Sequence, residues 1–75
     1  MLPLELARSA LDAPPDERPG RVSAARDELR RRYDNVLRIL ENPDSFGPGG
    51  EGIARARRWE RKLEEIAEAY DLLKA

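Results

Sequence analysis

The sequence predicts an all-α fold. An antiparallel helical hairpin over about residues 21–41 and 53–73 is joined by a short N-terminal helix over about 3–12, making a small three-helix bundle. Three observations carry this reading. Proline and glycine gather in two clusters, one at Pro14, Pro15, Pro19 and Gly20, the other at Pro43, Gly47, Pro48, Gly49, Gly50 and Gly52, and both compositions break regular structure. The segments outside these clusters repeat their apolar residues at steps of three and four rather than two, the period of a helix and not of a strand. The last segment holds an unbroken heptad seam of Ala56, Trp59, Leu63, Ile66, Tyr70 and Leu73, the pattern of a helix packed along its length. The chain reads as a single domain over 1–75, with a Pro-rich connector over 13–20 and a Gly/Pro-rich loop over 42–52.

The first segment opens on Pro3, which suits the first helical turn because its missing N–H has no partner there in any case. Leu4, Ala7 and Leu11 share a face, with Leu6 and Ala10 beside them. At about ten residues such a helix persists only by packing. In the second segment Val22, Ala25, Leu29, Tyr33, Val36 and Leu40 form the stripe, and Leu37 and Ile39 widen it toward its end. Asn42 followed by Pro43 stops this helix, because the residue before a proline is driven out of the helical region. In the third, Ala67, Ala69 and Leu72 flank the heptad seam. Each long helix is about 30 Å at 1.5 Å per residue.

Composition narrows the chemistry. The 75 residues include no Cys and no His, which leaves no disulfide, thiolate nucleophile or zinc finger. It also removes the side chain that most often serves as general base and transition-metal ligand. So short a chain can hardly close paired carboxylates into a cleft. The expectation is a protein that is not an enzyme and that takes no cofactor and no metal. The first residues lack a basic stretch, and Glu5 and Arg8 interrupt their apolar run, unlike a secretory signal. No apolar run approaches the roughly 20 residues that span a bilayer. The expected location is cytoplasmic, with no membrane partner.

Charge is nearly balanced in total, at -1, and uneven along the chain. Residues 30–62 hold nine basic and five acidic side chains, a balance of +4, and the remainder carries −5. In an antiparallel hairpin the basic block is the end beside the loop. Part of that charge is expected to be neutralised on the surface by the i,i+4 pairs Asp27/Arg31, Glu28/Arg32, Arg30/Asp34, Asp34/Arg38 and Arg61/Glu65. Arg55, Arg57 and Arg58 near the start of the third helix, with acids toward its end, oppose the helix dipole. That opposition singles out the basic end, Arg30, Arg31, Arg38, Arg55, Arg57 and Arg58, as a surface for an acidic partner, a phosphate or a nucleic-acid backbone. The loop adds Asp44 and Phe46. Helix-turn-helix spacing, RNA-binding sheet motifs and a phosphate-binding loop are all absent.

The stretch from Lys62 to Leu73 resembles the third helix of a J-domain, the co-chaperone module that docks on a heat-shock chaperone ATPase. Leu63, Ile66, Ala69, Tyr70 and Leu73 fall on that family's apolar positions, and Asn42-Pro43-Asp44 lies where the family carries His-Pro-Asp. Arg30, Arg31, Arg32 and Arg38 make the preceding helix basic, as in the family. The resemblance implies a degenerate adaptor of this kind, with Asp44 and the second-helix arginines at the chaperone contact. Asn42 in place of the histidine implies no stimulation of the ATPase. The segment from Asn42 to Leu63 is longer than in the family, and the first helix lacks its tyrosine-rich start.

The reading drawn from the residues themselves is a non-enzymatic interaction or assembly module. The seam residues Tyr33, Val36, Leu40, Trp59, Leu63, Ile66, Tyr70 and Leu73 lie on a chain too short to bury much surface alone. The expected partner is another protein or a second copy, and nucleic acid through the basic end is the alternative.

Overall fold

The structure, a computed structural model, describes residues 1–42, 45–47 and 49–74. Three helices occupy nearly all of them: α1 (Pro3–Leu11), α2 (Arg18–Glu41) and α3 (Gly49–Lys74). No strand occurs among the described residues. The protein is an all-α three-helix bundle.

Helix α1 starts at Pro3, and the Glu5 carboxylate accepts the Leu2 N–H at 3.4 Å, giving a free donor ahead of the first turn a partner. The helix ends at Asp12, whose N–H donates to the Arg8 carbonyl at 2.9 Å. The connector is shorter than the proline cluster suggests. Pro14 accepts from both Glu17 (2.9 Å) and Arg18 (2.8 Å), and this turn runs straight into α2. Helix α2 therefore begins at Arg18 rather than near Arg21. Pro19 falls in the first turn, where no intrahelical N–H is required. The first such bond is Arg21 N–H to the Glu17 carbonyl at 3.1 Å.

Helix α3 also begins earlier than its composition suggests, at Gly49 rather than Ile53. Gly47 and Gly49 have φ of 77° and 81°, which glycine adopts without strain. Gly52, within the first turn, is buried against the preceding loop, and a Cβ there would overlap the Gly47 carbonyl oxygen. The glycines that read as loop thus serve a close turn-to-helix approach.

The core joins Ala7 and Ala10 of α1, Ala25, Leu29 and Val36 of α2, and Ile66, Ala69 and Leu73 of α3. Leu29 and Leu73 are its largest fully enclosed side chains. Six helical-face positions depart from the periodic reading. Leu11 is 39% exposed, and Ala10 takes its place inside. Ala69, a flanking position of the heptad seam, is fully enclosed, whereas Trp59, Leu63 and Tyr70 are only half-buried. The reason is the third helix: α1 packs on α2 and α3 together, so the buried stripe of α3 widens toward it beyond the two-helix seam.

Helix α1 lies antiparallel to α2 and covers only one half of the hairpin. The Arg32 guanidinium donates to the Met1 carbonyl at 2.7 Å, and Met1, Leu2 and Pro3 line a groove with Val36 and Ile39, so the start of α1 lies beside the stretch from Arg32 to Ile39. The last turn of α2 and the facing start of α3 lie beyond the start of α1. The molecule measures 51 × 19 × 15 Å with a radius of gyration of 14.8 Å, against about 11 Å for a compact domain of this length.

Two neighbouring glycines separate the packing argument from propensity. Gly50→Ala meets open space in a helix and should stabilise by about 0.5–1 kcal/mol. Gly52→Ala should instead lower the melting temperature, because the loop backbone must move. Thermal unfolding of the two variants checks this, and equal stabilisation by both would contradict the close approach.

Candidate interaction surface

The arginines divide into those that hold the bundle and those that face solvent. Arg26 donates to the Leu73 carbonyl from Nε at 3.0 Å and also from Nη2. It satisfies one of the carbonyls that a helix C-terminus leaves without an intrahelical donor. Arg18 donates twice to the Ala13 carbonyl at 3.2 and 3.1 Å, closing the α1–α2 connector. Arg32 fixes the N-terminus of α1, as described. These structural roles have no signature in spacing, since each joins residues that only the fold brings together.

Glu28 organises the middle of α2. It accepts from Arg31 at 2.7 Å and from Arg32 at 2.9 Å. These two guanidinium hydrogen bonds hold its carboxyl at about 2, well below its ordinary value of 4.5, against the opposing effect of burial. The same bond raises the Arg31 guanidinium. Of the expected i,i+4 pairs, Glu28/Arg32 forms. Arg31 takes Glu28, three residues back, rather than Asp27, four back, and so shares an acceptor with Arg32. Arg30/Asp34, Asp34/Arg38 and Arg61/Glu65 do not come within ion-pair distance among the described residues. Arg55 pairs with Glu51 at 3.8 Å and reaches the Phe46 carbonyl at 3.3 Å.

The helix-dipole argument for the basic end is corrected by the longer α3. Its first turn holds Glu51 and its last turn Lys74, both favourable signs. Arg55, Arg57 and Arg58 lie beyond the first turn, where the dipole has faded. What remains is exposure. Arg30, Arg38, Arg57 and Arg58 are exposed with no ion pair among the described residues. Arg57, Arg58 and Arg61 share one stripe of α3 with Ala54 and Ile53, and Ile53 is 60% exposed. Arg31 belongs instead to the Glu28 cluster.

The apolar seam is divided between core and surface. Val36, Ile66 and Leu73 are buried, and Tyr33, Leu40, Trp59, Leu63 and Tyr70 are half-buried against the core. Where α1 stops, the hairpin carries an open groove of about 450 Å³ floored by Val36, Ile39, Trp59 and Ile66 and walled at one end by Met1 and Leu2. Arg31, Arg32, Asn35, Lys62 and Glu65 complete its edge. The Lys62 ammonium sits 4.3 Å from the centre of the Trp59 ring, a cation–π contact over the indole. Met1 is 70% exposed and Leu2 63%. A second groove of about 410 Å³ between α2 and α3 is lined by Leu29, Tyr33, Ile66 and Tyr70 and edged by Arg30, Asp34 and Asp71. Phe46 is half-buried at the loop. Asp44 and Pro43, which the J-domain resemblance brings forward, lie outside the described residues.

The positions that carry that resemblance are core positions. Ile66, Ala69 and Leu73 are buried, with Leu63 and Tyr70 packed beside them, and packing by itself requires apolar residues at this spacing. Comparison with protein-family models, with curated proteins and with solved structures finds no match. No helix among the described residues is long and apolar enough to cross a membrane.

The Glu28 cluster makes a pH prediction. Its folded-state pKa is depressed, so its contribution to stability is complete above the unfolded value near 4.5 and is lost as pH falls toward about 2. Glu28→Gln should therefore flatten the loss of thermal stability across that window. A side-chain NMR titration that placed the Glu28 midpoint at 4.5 would contradict the double guanidinium contact.

Proposed function

We propose that this protein is a non-enzymatic helical interaction module that holds its partner along the half of the hairpin that α1 leaves uncovered. The observation that supports this most directly is the groove at the end of α1, where Trp59, Ile39, Met1 and Leu2 present apolar surface flanked by charge. An apolar centre with a polar rim is the anatomy of protein interfaces, and exposed aromatic and Met side chains are enriched in them. A helix laid along α2 and α3 would complete there the third layer that α1 supplies elsewhere.

A second reading has its own observation. The stripe of Arg57, Arg58 and Arg61 carries no ion pair among the described residues, and guanidinium groups bind phosphates in bidentate fashion. This favours a nucleic-acid or phosphate ligand on the outer face of α3.

One experiment separates the two. The protein is used as bait in extract from its own source cells, with and without nuclease, beside Ile39→Asp and Arg57→Ala/Arg58→Ala variants. The interaction reading expects partners that survive nuclease and are lost with Ile39→Asp. Retention that nuclease and the arginine substitutions abolish, with Ile39→Asp harmless, overturns it in favour of the second reading.

A further inference from the structure

We infer that the element of the partner protein seated in the groove is an acidic amphipathic helix. This rests on the interaction-module reading and names the chemistry of the partner. The first observation is the form of the site. Helix α1 itself lies against both α2 and α3, with Leu4, Ala7 and Ala10 packed on the core at helical spacing. Its first residues, Met1, Leu2 and Pro3, line the groove together with Val36 and Ile39 of α2 and Trp59 of α3. The groove is thus the same furrow at the point where its own helix begins. A furrow that already seats one helix by apolar residues a turn apart has the width for another laid end to end with it.

The second observation is the charge along the edge. The Lys62 ammonium stands 4.3 Å from the centre of the Trp59 ring and makes no ion pair among the described residues, although Glu65 follows it by three. Arg58 lies one turn earlier on the same edge of α3, exposed and equally without an ion pair among the described residues. Across the groove, Arg31 and Arg32 share a single carboxylate, Glu28. Four cations therefore stand against two carboxylates, Glu28 and Glu65. Like charges four apart, such as Arg58 and Lys62, disfavour a helix slightly, and an acidic side chain brought by a partner relieves them.

Floor and edge together select the occupant. A phosphate backbone would engage the cations and leave Ile39 and Trp59 bare. A basic helix would cover that floor and set like charge against the edge. An acidic amphipathic helix answers both. Its large apolar residues, at i, i+3, i+4 and i+7, rest on Val36, Ile39 and Trp59, and its Asp or Glu side chains lie beside them toward Arg58 and Lys62. Met1 and Leu2, 70% and 63% exposed, meet its near end.

Two synthetic helical peptides of about 14 residues, roughly 21 Å long, test the proposal. Both carry Leu at i, i+3, i+4, i+7 and i+11; one has Glu at the flanking positions and its twin has Lys there. Neither contains tryptophan, so the emission of Trp59, the single tryptophan of the chain, reports the groove floor, and fluorescence polarisation of labelled peptide gives the affinity. The glutamate peptide should bind about tenfold or more tighter than its twin, with a shift in Trp59 emission, and less tightly at high salt. Ile39→Asp should abolish binding. The exposed double charge reversal Arg58→Glu/Lys62→Glu should invert the preference, so that the lysine peptide binds better. Circular dichroism establishes that each variant is folded. Equal binding of the two peptides, or none by either, overturns the acidic helix. Binding of the glutamate peptide that Ile39→Asp leaves intact places it on the outer arginines and overturns the groove as its seat. The interaction-module reading is decided separately, by the Ile39-dependent capture from extract, which uses neither peptide.

Discussion

A nine-residue helix is about 13 Å long, and the two helices on which it packs are each nearly three times that length. This mismatch governs the rest of the molecule. Where α1 lies, Ala7 and Ala10 fit closely against Ala25, Leu29, Ala69 and Leu73, and the short side chains let three helix axes converge. Beyond Met1 the same hairpin has no third element, and its apolar residues are covered on one side only. Leu29 and Leu73 are enclosed on the first half, and Ile39, Leu40 and Trp59 remain half-buried on the second.

Arginine joins these halves in two ways. Arg18, Arg26 and Arg32 reach backbone carbonyls at the connector, at the end of α3 and at the start of α1. They spend their donors on groups that helix termini leave without partners. Arg55 does the same for the Phe46 carbonyl at the start of α3. Most of the remaining arginines are exposed on the helix surfaces, Arg38, Arg57, Arg58 and Arg61 toward the loop end. An overall charge near zero consequently conceals both a set of structural staples and a polar gradient along the rod.

Much of this was legible in the order of residues. The three-helix architecture, the interior stripe of α2 and the basic end near the loop all follow from apolar period and charge position. Helix starts were less legible, because Pro19 and Gly52 are breakers in composition and acceptable in a first turn. Ala10 and Ala69 were hard to place for a different reason. A heptad read on one helix describes packing against one neighbour, and the arrival of α1 rotates the buried face toward a second. The groove itself depends on where α1 ends against α2, which is a tertiary distance with no trace in local spacing. Ile39 was visible as a widening of the α2 stripe, yet Met1, Leu2 and Lys62 become part of a surface only once the bundle is assembled.

The half-covered hairpin has a direct physical readout in residue-resolved amide hydrogen exchange of dilute protein. Segments that lack a packed third layer open locally at lower free energy than those that share the core. The amides of α2 over 25–32 and of α3 over 66–73 should exchange only through global unfolding. Those over 36–41 and 54–60 should exchange faster, through opening of the two-helix half alone. Equal protection along both helices would contradict the division of the molecule into a three-layer half and an open one.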